Sequence, residues 1–249
     1  MKPRVAVFSF TSCEGCGLAV LECEDELLDI LGAVEIVTWR EVMTERTTGY
    51  DIALVEGSIS THDDVKRIKE IRDNAAMLVA LGACAHTAGL NALKNRYGMN
   101  EVKDIVYGED GAHFDTIPAR PLHAVVDVDF ALPGCPIDKV EFLRLVKDLL
   151  MGKTPSIPSY PVCVECKLKG NICVFDKGMF CMGPITRAGC DAICPTRGAA
   201  CIGCRGWVDE PNRNSHRETL EKHGLSPDDI MRHFTIFNNH TEDQAAHGG

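Results

Sequence analysis

Twelve thiols in this chain are spaced as metal ligands. Eight of them, Cys163, Cys166, Cys173, Cys181, Cys190, Cys194, Cys201 and Cys204, crowd into residues 163–204 and fall into two consecutive groups of four. Upstream, Cys13 and Cys16 form a C-x-x-C pair, while Cys84 and Cys135 each follow an apolar run and stand beside Gly or Pro. Each of the three sets of four matches the ligand count of a cubane iron–sulfur cluster. Three such clusters with little other obvious chemistry point to electron transfer. Structural zinc competes, because Cys163-x-x-Cys166 and Cys201-x-x-Cys204 could pair as a ribbon. Their gap of 34 residues exceeds the usual spacing of about 15–20, and six further cysteines would remain unexplained. A disulfide framework needs an oxidising compartment, and 249 residues can bury a core without covalent staples. A thioredoxin-like dithiol explains only Cys13 and Cys16. Cys23 lies in mid-helix without ligand-like spacing and reads as a packing thiol.

Charge and hydropathy narrow the setting. The formal charge of −10, from 26 basic and 36 acidic residues, disfavours nucleic acid or an anionic membrane as partner. No apolar run approaches the roughly 18–20 residues of a transmembrane span. Thirteen cysteines behind no export signal predict a reducing cytoplasm, where thiolates stay available for metal. Lys167, Lys169, Lys177, Arg187, Arg197 and Arg205 lie within the cysteine-rich segment. They either offset the negative charge of thiolate-ligated clusters or form a solvated basic face. Glu14 and Glu56 are surface carboxylates or proton-relay groups, and His62 and His86 read as capping or solvent-facing groups.

The elements that must position these thiols alternate between strand and helix. Strands are predicted at Arg4–Phe10, Val34–Thr38, Asp51–Glu56, Ala76–Leu81 and Ala124–Leu132. Helices are predicted at Leu18–Leu31, from Thr61 to about Arg72, at Thr87–Asn95 and at Ile137–Met151. Tyr97–Arg120, rich in Gly and charge, reads as an exposed excursion. This rhythm predicts an α/β fold, a flavodoxin-like doubly wound parallel sheet. Ligand sites in such sheets form outside the carboxyl ends of the strands, so Cys13, Cys16, Cys84 and Cys135 should meet at one edge. Past Gly152 the character changes. Pro155, Pro158 and Pro161 mark a linker, and the segment that follows, up to Trp207, has few apolar runs and would need metal clusters to fold. Two domains are therefore expected, residues 1–152 and 153–249, the second with little regular structure. Ser226-Pro227-Asp228-Asp229 reads as the start of a short helix, and Thr241–Gly249 as disordered.

The run Cys173-Val-Phe-Asp-Lys-Gly-Met-Phe-Cys181-Met-Gly-Pro-Ile-Thr-Arg-Ala-Gly-Cys190, closing with Cys201-Ile-Gly-Cys204, resembles the small subunit of nickel–iron hydrogenases. So do Ser12-Cys13-Glu14-Gly15-Cys16, Leu81-Gly82-Ala83-Cys84-Ala85 and Pro133-Gly134-Cys135-Pro136. The likeness runs from Val5 to about Trp207 and is strongest to cytoplasmic members such as the delta subunit of sulfhydrogenases. It implies an electron-transfer subunit whose partner, the large subunit, carries the nickel–iron centre, with a flavin or iron–sulfur subunit as second partner. Three [4Fe-4S] clusters are implied: proximal on Cys13, Cys16, Cys84 and Cys135; medial on Cys190, Cys194, Cys201 and Cys204; distal on Cys163, Cys166, Cys173 and Cys181. Cys163 stands where periplasmic members have histidine, and Cys194 is an added ligand in the medial set. Both changes imply lower potentials, which suit a nicotinamide, flavin or ferredoxin as electron partner. The twin-arginine leader of exported members is missing. The cluster subunit of quinone reductases shares the fold, but has adjacent tandem cysteines at the first site and no second cluster segment. A ferredoxin-type C-terminal segment fails on spacing, because the repeated C-x-x-C-x-x-C-x-x-x-C-P run is absent.

Overall fold

The computed structural model describes residues 2–239; the expectation for Thr241–Gly249 lies outside them. Arg4–Ser9 (β1) is followed by Gly15–Leu21 (α1), Asp25–Ala33 (α2), Glu35–Trp39 (β2) and Ile52–Glu56 (β3). His62–Asn74 (α3), Met77–Leu81 (β4), Gly82–Thr87 (α4), Met99–Tyr107 (α5), Phe130–Leu132 (β5) and Lys139–Leu150 (α6) complete the first part. All strands pair parallel in the order β2-β1-β3-β4-β5, the doubly wound topology read from the sequence. Strands buried on both faces need near-continuous apolar runs, and β1, β3 and β4 supply them. One face packs Val5, Val7, Leu54, Val79 and Leu81 against Val20, Phe142 and Leu145 of α1 and α6. The other packs Ala6, Ala53, Val55, Leu78 and Ala80 against Ile68 and Ile71 of α3.

Local chemistry sets the helix ends. Thr61 Oγ1 accepts the Asp64 N–H and Asp64 accepts the Thr61 N–H, each at 3.0 Å, a capping box that starts α3. Asp138 caps α6 by accepting the N–H groups of Val140 (2.9 Å) and Glu141 (3.0 Å).

Four differences from the sequence expectations have physical causes. The single helix predicted over Leu18–Leu31 is two helices, because Cys23 turns fully into the core and Glu24 takes φ 48°. That break uses neither Gly nor Pro and leaves no breaker signal in the sequence. Strand β5 is only three residues long, since Leu122–Ala124 form a 3-10 turn before it. The predicted helix Thr87–Asn95 is a 3-10 segment, Gly89–Arg96. Inside the predicted excursion, α5 forms without burying a residue, beside a Tyr107–Phe114 ring stack at 3.9 Å.

Beyond α6 lie Val162–Leu168 (α7), Ile193–Thr196 (α8), Arg213–Lys222 (α9) and Pro227–Thr235 (α10). Helix α10 begins as expected, with Ser226 Oγ accepting the Asp229 N–H at 3.2 Å and Pro227 in the first turn. Its apolar cluster joins Val162, Val174, Met182, Ile185, Leu220, Ile230 and Phe234 to Cys181 and Cys201. The chain then returns to the sheet region, where the Asn239 amide donates to the Ala92 carbonyl at 2.7 Å. No helix among the described residues is long and apolar enough to cross a membrane.

Candidate metal centres

The sheet gathers four cysteines at the carboxyl ends of its strands. Cys13 stands in the turn after β1, Cys16 in the first turn of α1, Cys84 in α4 directly after β4, and Cys135 in the loop from β5 to α6. Burial pushes the Cys16 thiol up to about 12; the Ile137 N–H pulls it back, while Glu56, Cys84 and Cys135 add to the rise. Burial likewise lifts Cys84 to about 11, with Cys135 and Cys13 adding to it. Cys13 and Cys135 are the exposed members, so the group opens to the surface. Gly82 makes the approach possible at φ +80°, since a β-carbon there would stand 2.3 Å from Cys16 Sγ.

Glu56 lies beneath this group and is buried, not a surface carboxylate. It accepts the N–H groups of Cys16 (3.2 Å) and Gly17 (3.3 Å) and the Ser9 hydroxyl (3.2 Å). Burial pushes its carboxyl upward against those bonds. Glu14 is the surface group of the pair: left-handed at φ 59°, it begins α1 and pairs with Arg40.

The other eight cysteines line two separate cavities in two fours. One, of about 210 Å³, is lined by Cys190, Cys194, Cys201 and Cys204 together with Cys135 and Arg205. The second, of about 150 Å³, is lined by Cys163, Cys166, Cys173 and Cys181. Burial pushes Cys163 and Cys204 up to about 11 and raises Cys201 further. The groups adjoin in series. Cys135 of the first lines the cavity of the second, and the Met182 N–H, next to Cys181, donates to the Cys201 carbonyl at 2.8 Å. The Gly183 N–H also donates to Cys181 Sγ at 3.4 Å. Thiols raised this far stay protonated at neutral pH unless a positive centre takes the proton's place, so each cavity can hold metal once its thiols ionise. Among the described residues, no three His, Cys, Asp or Glu side chains are gathered tightly enough for a single ion. Cys23 is fully buried in the sheet core, and its thiol donates to the Ala19 carbonyl at 3.7 Å.

The six basic residues divide between the two readings given to them. Lys167, Lys169, Lys177 and Arg197 are exposed, whereas Arg205 is 1% exposed and Arg187 pairs with Asp209. Arg205 forms a buried ion pair with Glu141, its Nη1 and Nη2 each 2.8 Å from a carboxylate oxygen. Burial pushes the Glu141 carboxyl up and Arg205 pulls it down. Glu141 was not visible as a functional residue, because α6 reads as an amphipathic helix whose carboxylates face water. His62 is exposed and bonds Asp115, as a capping group would. His86 is half-buried instead of solvent-facing, and burial pulls it down to about 4.

A family model described as the NADH ubiquinone oxidoreductase 20 kDa subunit matches residues 13–149. Sulfhydrogenase 2 subunit delta of Pyrococcus furiosus is 37% identical over 237 residues, covering 94% of this chain and 98% of that relative. This chain belongs to the family of hydrogenase small subunits. A subunit of the F420-non-reducing hydrogenase vhu of Methanococcus voltae is 31% identical, with 84% of each chain covered. Among solved structures, a chain of an NAD+-reducing [NiFe]-hydrogenase in the H2-reduced state superposes with a TM-score of 0.58 at 29% identity. It covers 64% of this small subunit and 96% of its own length. The 20 kDa-subunit match ends within α6 and does not reach the eight cysteines of residues 163–204, whereas the likeness to the Pyrococcus furiosus relative covers 94% of the chain.

Proposed function

We propose that this hydrogenase small subunit is the electron relay of a cytoplasmic nickel–iron enzyme and holds three [4Fe-4S] clusters. Cys13, Cys16, Cys84 and Cys135 hold the proximal one, Cys190, Cys194, Cys201 and Cys204 the medial one, and Cys163, Cys166, Cys173 and Cys181 the distal one. The observation that carries this assignment is the division of the eight later cysteines between two cavities, four to each. Donors spread around a cavity fit a polynuclear cluster better than one zinc ion, whose four sulfurs must stand about 2.3 Å from the metal. When bound, such clusters supply one-electron redox chemistry.

The chain's own residues hold the sulfurs and shield most of them from water, leaving Cys13, Cys135 and Cys173 exposed at the two ends. They also set the groups side by side in the order proximal, medial, distal, since Cys135 lines the medial cavity and Cys201 shares one apolar cluster with Cys181. Residues 1–152 and 153–249 form the two domains of this relay. The exposed group at the sheet edge faces the large subunit, which carries nickel and iron. At the far end, Cys173 is exposed among Lys167, Lys169 and Lys177 and the exposed Leu168 and Ile172. That face receives a flavin or iron–sulfur subunit. Iron and sulfide analysis of the anaerobically purified native complex tests the proposal. About 12 iron and matching sulfide per chain are expected beyond the large subunit's metals. Two zinc ions and no sulfide would overturn it.

A further inference from the structure

Arg205 is the bulkiest of the fully buried side chains among the described residues, and every polar group it meets is fixed. Its Nε donates to the carbonyls of Ala188 (2.9 Å) and Arg187 (3.2 Å), and its Nη1 to the Pro133 carbonyl (2.9 Å). Glu141 completes the set from α6. The guanidinium thus ties together the loop that carries Cys135, the strand-like segment before Cys190 and the helix behind them. Gly189, at φ +116°, leaves room for the pair: a β-carbon there would stand 2.0 Å from Glu141 Oε1 and 2.3 Å from Arg205 Nη2.

A buried ion pair is a poor way to gain stability, because apolar residues of the same volume often do as well or better. This one has a second property. Arg205 lines the cavity of Cys190, Cys194, Cys201 and Cys204, and Glu141 does not. The cationic residue therefore stands at the wall of that cavity and the anionic one behind it. Two other carboxylates stand near: Asp138 on the cavity wall, and Glu165, which accepts the N–H groups of Gly189 (2.7 Å) and Ala192 (3.1 Å).

We propose that Arg205 is a fixed cation that raises the redox potential of the medial cluster, and that Glu141, its buried counter-charge, partly offsets that effect. The inference rests on the medial assignment made above. Reduction adds one electron and no proton to a centre that four thiolates already make negative. A cation held beside it stabilises the reduced form more than the oxidised one. Arg205 thus opposes the fall in potential that a fourth thiolate, Cys194, brings.

The test is an anaerobic redox titration of the native complex, poised with dithionite and followed by electron paramagnetic resonance. The parent is compared with Arg205→Met, Arg205→Lys, Glu141→Gln and the double variant Arg205→Met/Glu141→Gln. The medial midpoint should fall in Arg205→Met and fall less in Arg205→Lys. It should rise in Glu141→Gln, and the double variant should lie between the two single ones. Opposite signs at the two partners are not what a purely structural pair gives. Full iron with midpoints unmoved, or moved in the same direction at both residues, overturns the inference and leaves the three-cluster assignment standing. A parent lacking a medial signal, with iron short by a cluster, overturns the assignment itself. Should Arg205→Met lose the cluster, Glu141→Gln decides: a rise supports the inference, and no change or a fall overturns it.

Discussion

In the sheet region, four thiols stand just past strand ends, two in loops and two in the first turns of α1 and α4, above an apolar core built from strand and helix side chains. In the segment from Val162 to Phe234, thiols belong to the core: Cys181 and Cys201 are buried in its apolar cluster, with Cys166 and Cys190 packed against it. The sheet region is a scaffold that accepts a metal centre at its rim. The later segment, with short helices, a 3-10 stretch at Val174–Lys177 and turns between its other cysteines, draws thiols into its own core, so metal binding there is coupled to folding. One ligand chemistry can thus be a passenger of a fold in one half of a chain and its foundation in the other.

Removing the foundation gives the largest expected effect. Cys201→Ser should cost the later segment several kcal/mol, because the free energy of metal binding is its folding free energy. Hydrogen–deuterium exchange should show amides of α7, α9 and α10 losing protection while β1, β3 and β4 keep theirs. Equal loss in both regions would erase the distinction.

The converse substitution sharpens it. Gly82→Ala puts a side chain 2.3 Å from Cys16 Sγ at φ +80°. The left-handed backbone alone costs about 1–2 kcal/mol. The complex should lose about four of its 12 small-subunit iron atoms, while the later segment keeps its exchange protection. If iron in the later segment falls as well, the sheet-edge group is not independent.

A smaller effect separates the regions by pH. His216 is 3% exposed in the later core, packed on Phe234, and burial pulls it down to about 4 from 6.5. Its folded value lies below its unfolded one, so the unfolded chain binds the extra proton between those limits. The stability it contributes is full above pH 6.5 and is lost as pH falls toward 4. By pH 5 the loss should be on the order of 2 kcal/mol. Acid loss of clusters is common to parent and variant, so the difference carries the test. Denaturation of His216→Phe at pH 7 and pH 5 should show a shallower decline than the parent. Parallel declines would remove His216 as the cause.

How much of this could be read from residues alone follows the same divide. Strand ends are legible because apolar runs stop at Gly or Pro, and parallel topology then carries Cys13, Cys16, Cys84 and Cys135 to one edge. The partition of the later cysteines into fours is legible from their spacing. Helix α9 is not, because Arg213–Lys222 is nearly all polar and is held by His216 and Leu220 alone. Nor is the Arg205–Glu141 pair: each residue taken singly looks like a solvated charge, and only the packing of α6 against the Cys204 loop removes them from water. The break at Glu24 is invisible for the same reason, since the core's demand for Cys23 sets it and no local propensity does.

Cys23 gives the smallest expected effect and the cleanest control on the count of ligands. It is fully buried, but its neighbours are Val20, Leu27 and the rest of the sheet's apolar cluster, and no other cysteine is among the groups that shift its thiol. Burial is the first cause of that upward shift, as for a small apolar residue. Cys23→Ala removes one sulfur and a weak contact to the Ala19 carbonyl. A stability loss of about 1 kcal/mol is expected, with a cavity too small to relax the helices around it. Iron, sulfide and all three midpoint potentials should match the parent. Every other cysteine of the chain, replaced in the same way, should lose iron from one group. If Cys23→Ala loses iron too, then a passenger of the sheet core is a ligand after all, and the three fours are wrongly drawn.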